Sequence, residues 1–293
     1  MQKSKLLVAV LGALCAMPVF AEDAPAAAPV AAAAAPAPAP AITANVGFTT
    51  DYVFNGISQN FRTPALQGGF DYIAANGLYL GTWSSNVSGN QYTNASMELD
   101  IYGGYNGKVN DDLGYQLGLM NVAYPGGKAF NSTPDVSKKW DTQEAILGAT
   151  WKSLNVKLTY TVSDWYGINN SGFAPVMWAA GDGTTATGAS TADSSDANLS
   201  SKGSTYVEAN YTFDLGNDLG LALHAGHQKI VNFSKLDYTD YKVAISKLYQ
   251  GFTYGLAFTT TNGTDNSLYH VKLNGDDKVL SGNILAASIS RSF

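Results

Sequence analysis

Apolar and polar residues alternate with a period of two through most of the chain after residue 41. The pattern is clearest between residues 95 and 105, where the order is Met97, Glu98, Leu99, Asp100, Ile101 and Tyr102. This alternation is typical of a β-strand with one apolar and one polar face. It favours a sheet whose two faces meet different environments.

Twelve segments carry this pattern, and we predict that each is an antiparallel strand. Their predicted bounds are 42–55, 64–75, 78–87, 95–105, 113–124, 140–151, 154–165, 204–213, 219–228, 238–248, 252–260 and 280–293. The facing of the third strand is ambiguous, because Leu78 and Leu80 compete with Tyr79 and Trp83 for the apolar face.

The connections between these strands alternate in length. The predicted short turns are 76–77, 106–112, 152–153, 214–218 and 249–251, and the longest intervening loop is 167–203. Asn76-Gly77 is also a signal for a two-residue hairpin turn. This asymmetry is expected when both termini of a barrel are periplasmic. We therefore predict an all-β fold, a transmembrane antiparallel up-and-down β-barrel of about 12 strands, with a soluble β-sandwich as the alternative.

The two ends of the chain agree with this prediction. Lys3 and Lys5 precede an apolar run, and a small-residue cleavage site follows, so we predict a signal peptide at 1–21. Residues 22–41 are mostly Ala and Pro and are expected to form a disordered periplasmic leader, with the barrel at 42–293. The last strand ends in Phe293, as in bacterial outer-membrane barrels, so we expect the barrel-assembly machinery to recognise it. Arg291 falls on the apolar face and is expected to reach the interface.

Composition supports a lipid-facing surface. Charged residues make up 14% of the chain and aromatic residues 12%, with 30 Gly. We expect the outer surface to contact outer-membrane lipid and lipopolysaccharide, with interfacial girdles formed by Tyr52, Tyr105, Trp151, Trp165 and Tyr166. The formal charge is −6, and loss of the signal peptide would make it more negative, which argues against nucleic acid as a partner.

Several segments resemble one bacterial family. They are 51–59 (DYVFNGISQ), 64–72 (PALQGGFDY), 81–87 (GTWSSNV), 98–104 (ELDIYGG), 163–167 (SDWYG) and 240–243 (DYKV). Together they are similar to the family called Gcw_chp, also known as the TorF family of porin-like proteins. The resemblance implies an outer-membrane channel and no particular solute. Asn55 departs from the family motif, where an Arg is expected.

Charged residues on the polar faces are assigned to the lumen, because a Lys or Arg facing lipid at mid-depth costs ~2–4 kcal/mol. The predicted pore-lining residues are Asp51, Asp71, Glu98, Asp100, Glu144, Glu208, Lys157 and Lys242. Such an acidic lumen favours cations, and we predict passive diffusion of small polar or cationic solutes. The alternative is a closed structural or interaction barrel, adhesin-like or envelope-organising, in which the acids pair with Lys157, Lys242 and Tyr hydroxyls.

An outer-membrane lipid hydrolase is the third class considered. Its nucleophilic chemistry needs a Ser beside an oriented His. None of His224, His227 and His270 has a Ser two residues later, and no Gly-x-Ser-x-Gly segment occurs. His224 and His227 would point to opposite faces of a strand and could not share a metal ion. We predict no enzyme activity, no cofactor and no metal site.

Overall fold

The computed structural model describes residues 41–130, 137–169, 193–194, 199–263, 269–273 and 276–293. The predicted signal peptide, the predicted leader up to residue 40 and most of the 167–203 loop lie outside these ranges. Within them, no helix is both long and apolar enough to cross a bilayer.

Twelve strands form one closed antiparallel barrel. They are β1 Ala41–Thr49, β2 Ala65–Ile73, β3 Leu78–Asn86, β4 Met97–Lys108, β5 Leu113–Ala123, β6 Thr142–Trp151, β7 Leu154–Thr161, β8 Thr205–Asp214, β9 Leu219–Lys229, β10 Tyr238–Tyr249, β11 Phe252–Gly263 and β12 Ile284–Ser292. Each strand pairs with its neighbours in sequence, and β12 pairs with β1 to close the barrel. The predicted fold class and strand number are confirmed.

The outward side of the barrel is apolar, as the alternation predicts. On β2, Leu66 and Phe70 are exposed on the outside of the barrel. Asp71 lies between the outward residues Phe70 and Tyr72 and therefore faces the interior. The ambiguous strand β3 is also settled: Leu78 and Leu80 point outward, whereas Trp83 is 3% exposed and points inward. A closed barrel with large apolar side chains exposed around it has the surface that a bilayer covers.

Arg291 is an outward-facing charge on this apolar surface. Its guanidinium carbon lies 5.2 Å from the ring centroids of both Phe252 and Phe293. The cation is therefore stacked between two aromatic rings at the end of the barrel, a position compatible with the membrane interface.

The two ends of the barrel differ. At one end, the turn end, the connections 74–77, 109–112, 152–153, 215–218 and 250–251 are short. At the other, the loop end, the connections 50–64, 87–96, 124–141, 162–204, 230–237 and 264–283 are long. The long connections contain short strand pairs and 3₁₀ turns: Val53–Phe54 with Ile57–Ser58, Ala129–Phe130 with Ser137–Lys138, His270–Leu273 with Asp276–Val279, Trp165–Gly167 and Ser234–Leu236. The predicted alternation of loop lengths is confirmed.

The buried core lies inside the barrel at its loop end. Every long connection contributes to it, through Tyr52, Ile57, Phe61, Tyr92, Tyr124, Trp140, Trp165, Tyr166, Ile168, Phe233, Leu236, Tyr269 and Leu280. Towards the turn end the inward side chains are small or polar and only half-buried, such as Asn45, Asn210, Ala222, Ser246 and Ser288. The barrel is thus filled at the loop end and partly open to solvent at the turn end.

This core corrects two predictions. Tyr52, Trp165 and Tyr166 are buried in it and do not belong to an aromatic girdle, whereas Tyr105 and Trp151 are outward and exposed as predicted. The first strand also ends at Thr49, well before its predicted end at residue 55. The chain then leaves the barrel wall and turns inward.

Candidate functional site

Residues 50–64, which connect β1 to β2, fold into the barrel and are called the inner loop below. Asn55 and Gly56 both have positive φ, and they form the turn between the short strands Val53–Phe54 and Ile57–Ser58. This turn reaches the barrel wall, where the Thr261 hydroxyl donates a hydrogen bond of 2.6 Å to the Gly56 carbonyl. A Cβ atom on Gly56 would lie 2.4 Å from Asp240 Cβ, so this contact requires glycine.

Polar contacts hold the base of the inner loop. The Ser58 hydroxyl donates to Asp51 Oδ1 at 2.7 Å, and Arg62 Nη1 lies 3.7 Å from Asp51 Oδ2. Arg62 also donates to the carbonyls of Val279 and Ser281 at 2.8 and 2.7 Å. Burial raises the pKa of Asp51 to about 6, because the loss of water outweighs the opposing effects of Ser58 and Arg62.

Three inward carboxylates form a group beside the inner loop, called the carboxylate cluster below: Glu98 and Asp100 on β4, and Glu144 on β6. Glu98 accepts hydrogen bonds from the hydroxyls of Tyr52 at 2.8 Å and Tyr124 at 2.6 Å. Asp100 is under the electrostatic influence of both Glu98 and Glu144. Its Oδ1 atom is buried and has no hydrogen-bond partner among the described residues.

A second polar network joins β7, β8, β9 and β10. Lys157 forms an ion pair with Glu208, and Asn210 donates to Glu208 at 3.1 Å. His224 Nδ1 lies 2.7 Å from Asn210 Oδ1, and its Nε2 atom lies 2.8 Å from Asp240 Oδ2. The Tyr206 hydroxyl completes the network with a 2.9 Å hydrogen bond to Asp240.

The eight predicted pore-lining residues all lie on the inner side of the structure, but they are not spread evenly. Seven are on strands, and Asp51 is on the inner loop instead of β1. Asp71 accepts a 2.7 Å hydrogen bond from Tyr102, and Lys242 lies between the outward residues Tyr241 and Val243. Whether the eight line a conducting path stays a prediction.

Asp240 is a site residue that the sequence prediction missed. It lies two positions before Lys242 on β10, so the alternation places both on the same inward face. An acidic residue two positions from the predicted lumen residue Lys242 was the sequence signal that could have identified Asp240 as a lumen residue. Across the described ranges, no three His, Cys, Asp or Glu side chains are grouped as metal ligands.

Comparisons with known proteins give the following matches. A family model described as "Bacterial protein of unknown function (Gcw_chp)" matches residues 32–293. Comparison with curated protein sequences finds no match. Among solved structures, a KdgM porin is 10% identical, covering 86% of this chain and 99% of its own, with a TM-score of 0.46. A NanC porin is 11% identical over 86% and 99%, with a TM-score of 0.45. The outer membrane protein opdK from Pseudomonas aeruginosa is 13% identical over 79% and 57%, with a TM-score of 0.37.

Proposed function

We propose that this chain, which belongs to the Gcw_chp family, is an outer-membrane porin for passive diffusion of small polar or cationic solutes. The observation that carries the proposal is the contrast between the two sides of its closed barrel. The outside is apolar, whereas the barrel strands carry six carboxylates and two lysines that face inward and are buried or half-buried: Asp71, Glu98, Asp100, Glu144, Glu208, Asp240, Lys157 and Lys242. An excess of carboxylates on a pore wall attracts cations and repels anions.

The inner loop limits what such a pore can pass. Together with the other long connections it fills the loop end of the barrel, while the turn end keeps half-buried small and polar side chains. Solutes would enter a vestibule at the turn end and meet the inner loop as a constriction near the outer side. Only small solutes would pass unless the loop moves.

A closed structural or interaction barrel is the second candidate. The observation in its favour is that carboxylates inside the barrel are bonded to protein groups, as Glu98 is to Tyr52 and Tyr124, and Glu208 to Lys157. These bonds stiffen the interior and join the inner loop to the wall. The two candidates differ in one measurable property, ion conductance.

The location and partners follow from the same proposal. Residues 1–21 would direct export and be cleaved, and 22–41 would form a periplasmic leader. The apolar outer surface would contact lipid and lipopolysaccharide, and Phe293 would be recognised by the barrel-assembly machinery. No enzyme activity and no cofactor are proposed.

The test is single-channel recording of the mature protein, refolded and placed in a planar bilayer under a salt gradient. We expect discrete conductance steps and a reversal potential that indicates selectivity for cations over anions. Neutralising the carboxylate cluster with E98Q, D100N and E144Q should weaken that preference. The matched control, D111N with D214N and D218N, removes three exposed charges at the turn end and should change it less.

Each outcome separates the candidates. If the variant of the carboxylate cluster conducts with unchanged ion selectivity, the role of these carboxylates in selectivity is refuted, but the protein is still a pore. Silence from protein shown to be folded by heat-modified mobility on gels would favour the closed barrel.

A further inference from the structure

His224 lies on β9 inside the barrel, and both nitrogen atoms of its ring face oxygen atoms. Nδ1 lies 2.7 Å from Asn210 Oδ1, and Nε2 lies 2.8 Å from Asp240 Oδ2. The side chains of His224 and Asp240 are 2% and 1% exposed, so these contacts are shielded from solvent. A neutral imidazole has one N–H group and cannot donate to both oxygens.

The orientation of the Asn210 amide follows from its second partner. Its Nδ2 atom donates to Glu208 Oε2 at 3.1 Å, and Glu208 forms an ion pair with Lys157. An ionised carboxylate only accepts hydrogen bonds, so a flipped amide would set two acceptor oxygens against each other. Asn210 Oδ1 therefore faces His224, and the Nδ1 atom of His224 carries the hydrogen of this contact.

The contact between His224 Nε2 and Asp240 also contains a hydrogen. The Tyr206 hydroxyl donates to Asp240 Oδ1 at 2.9 Å, and Asp240 Oδ2 faces the ring. Without a hydrogen, a nitrogen lone pair and a carboxylate oxygen would face each other in a buried site, which is unfavourable. The pair of His224 and Asp240 therefore holds one proton more than a neutral imidazole beside an ionised carboxylate, and its net charge is zero.

The charged groups around this pair come from three strands. Glu208 on β8 lies 3.5 Å from His224 Nδ1 and, like Asp240, favours the proton. Two lysines oppose it: Lys157 on β7, which is paired with Glu208, and Lys242 on β10, which is the register partner of His224. The remaining neighbours are uncharged, namely Val53, Asn55 and Gly56 in the turn of the inner loop and Thr259 and Thr261 on β11. The two carboxylates lie within hydrogen-bonding or ion-pairing distance of the ring nitrogens, so the balance favours the proton.

The turn of the inner loop covers this pair. A Cβ atom on Gly56 would lie 2.4 Å from Asp240 Cβ, and the space left between the turn and the pair has room for about one water. Loss of the proton would leave a net negative charge on the pair, and the packed turn would shield that charge from water. Hydration of the charge requires the turn to move away. Proton binding and packing of the inner loop therefore favour each other, and a rise in pH opposes both.

We propose that His224 is a positioning residue for the inner loop: it holds a proton against Asp240, and this proton keeps the turn packed on the barrel wall. Raising the pH removes the proton and releases the turn. The inference rests on the proposed function for its effect on conduction, because release of the turn would widen the constriction. The proton and the packing can both be measured without conduction.

The proton is tested by ¹⁵N NMR of the folded mature protein, labelled at histidine, in detergent. The signals that H224Q removes belong to His224. Both of its nitrogens should carry a hydrogen at about pH 7, where a free imidazole is mostly neutral. In D240N the new amide can donate to Nε2, so one ring nitrogen should lose its hydrogen. The matched control is D71N, which alters an inward acid bonded to Tyr102 and should leave the His224 signals unchanged.

The packing is tested by hydrogen exchange at the Ser58 and Gln59 amides, corrected for intrinsic exchange. A D51N background removes the separate titration of Asp51. Protection should fall at least about tenfold between about pH 6 and 10. H224Q leaves Asp240 without this proton and should lower protection by a similar factor already at the lower pH. H224Q combined with D240N removes the buried charge and should restore protection, a rescue that loss of packing at His224 alone would not give.

A His224 nitrogen without hydrogen in the wild type at about pH 7 would overturn the inference. Protection that does not change with pH, or that D240N does not restore in H224Q, would overturn it as well. The wild-type spectrum and the pH profile in D51N keep the inference testable should H224Q fail to fold. A conducting barrel with a neutral His224 overturns this inference alone. A silent barrel with the doubly protonated ring and the expected protection profile supports it and removes only the diffusion role.

Discussion

Gly56→Ala is the sharpest perturbation that the structure offers. Gly56 has a φ of +78°, and its carbonyl accepts the hydrogen bond from Thr261. A methyl group there would meet Asp240 Cβ at 2.4 Å and Thr261 Oγ1 at 2.5 Å. We expect the substitution to displace the inner loop from the wall while the barrel stays closed.

The magnitude combines three effects. A left-handed backbone costs a non-glycine residue ~1–2 kcal/mol, and overpacking costs ~1–3 kcal/mol. Loss of the Thr261 hydrogen bond costs ~0.5–1.5 kcal/mol. A destabilisation of the packed inner loop by about 4 kcal/mol is expected, which corresponds to roughly a thousandfold rise in its open population.

Hydrogen exchange read by mass spectrometry is the assay. The reporters are the amide of Ser58, which donates to the Leu280 carbonyl, and that of Gln59, which donates to the Tyr52 carbonyl. Both should exchange far faster in Gly56→Ala, and ion conductance should rise. Gly216→Ala is the matched control, because Gly216 has a φ of +77° in a short turn and no neighbouring atom within 4 Å of an added Cβ. It bears the same backbone strain without touching the inner loop.

The reasoning would be refuted by a folded Gly56→Ala barrel whose Ser58 and Gln59 amides exchange at the wild-type rate. It would also fail if Gly216→Ala accelerated those amides equally, since steric contact with the wall would then not be the cause.

Two further predictions concern the base of the inner loop. Burial raises the pKa of Asp51 from 3.8 to about 6, so the packed inner loop favours the protonated acid. Protonation of Asp51 therefore stabilises the packed loop by up to about 3 kcal/mol below about pH 4, and this stabilisation is lost as the pH rises through 6. Protection of the inner-loop amides, corrected for intrinsic exchange, should therefore fall over that window in the wild type and fall less in D51N; parallel profiles would contradict this. Tyr52→Phe removes the 2.8 Å hydrogen bond to Glu98 and should lower the free energy of unfolding by ~1.5–3 kcal/mol in urea titrations. Tyr105→Phe, on the exposed outer surface, should change it by less than ~0.5 kcal/mol, and equal effects would show that the Glu98 bond contributes nothing.

The barrel wall could be predicted because its two sides meet different environments, and a period of two records that difference directly. The alternation of short and long connections then supported an even number of strands and distinguished the two ends of the barrel. On β3 the pattern was uninformative, since Leu78 and Leu80 face outward while the equally apolar Trp83 faces the inner core. Periodicity separates the two faces of a strand, but it does not separate an apolar residue that faces lipid from one that faces a protein core.

The inner loop was missed for the same reason. Tyr52 and Phe54 continue the alternation of β1 beyond Thr49, so the segment looked like more strand. Asn55-Gly56 carries the same turn signal as Asn76-Gly77, which was used to place a hairpin. The partners inside the barrel, such as Tyr52 with Glu98, lie 46 residues apart, and no local spacing records such a contact.

The position of the inner loop constrains the order in which the chain folds. The loop follows β1 directly, yet its turn contacts β11 through Gly56 and Thr261, which are 205 residues apart. The seam between β1 and β12 is formed by five residue pairs, from Asn45 with Ser292 to Thr49 with Ser288. Contacts at such separation carry a large loop-closure entropy and form late. Both sets of contacts need strands from the far end of the chain, so the first strand to be synthesised is among the last to be fixed in place.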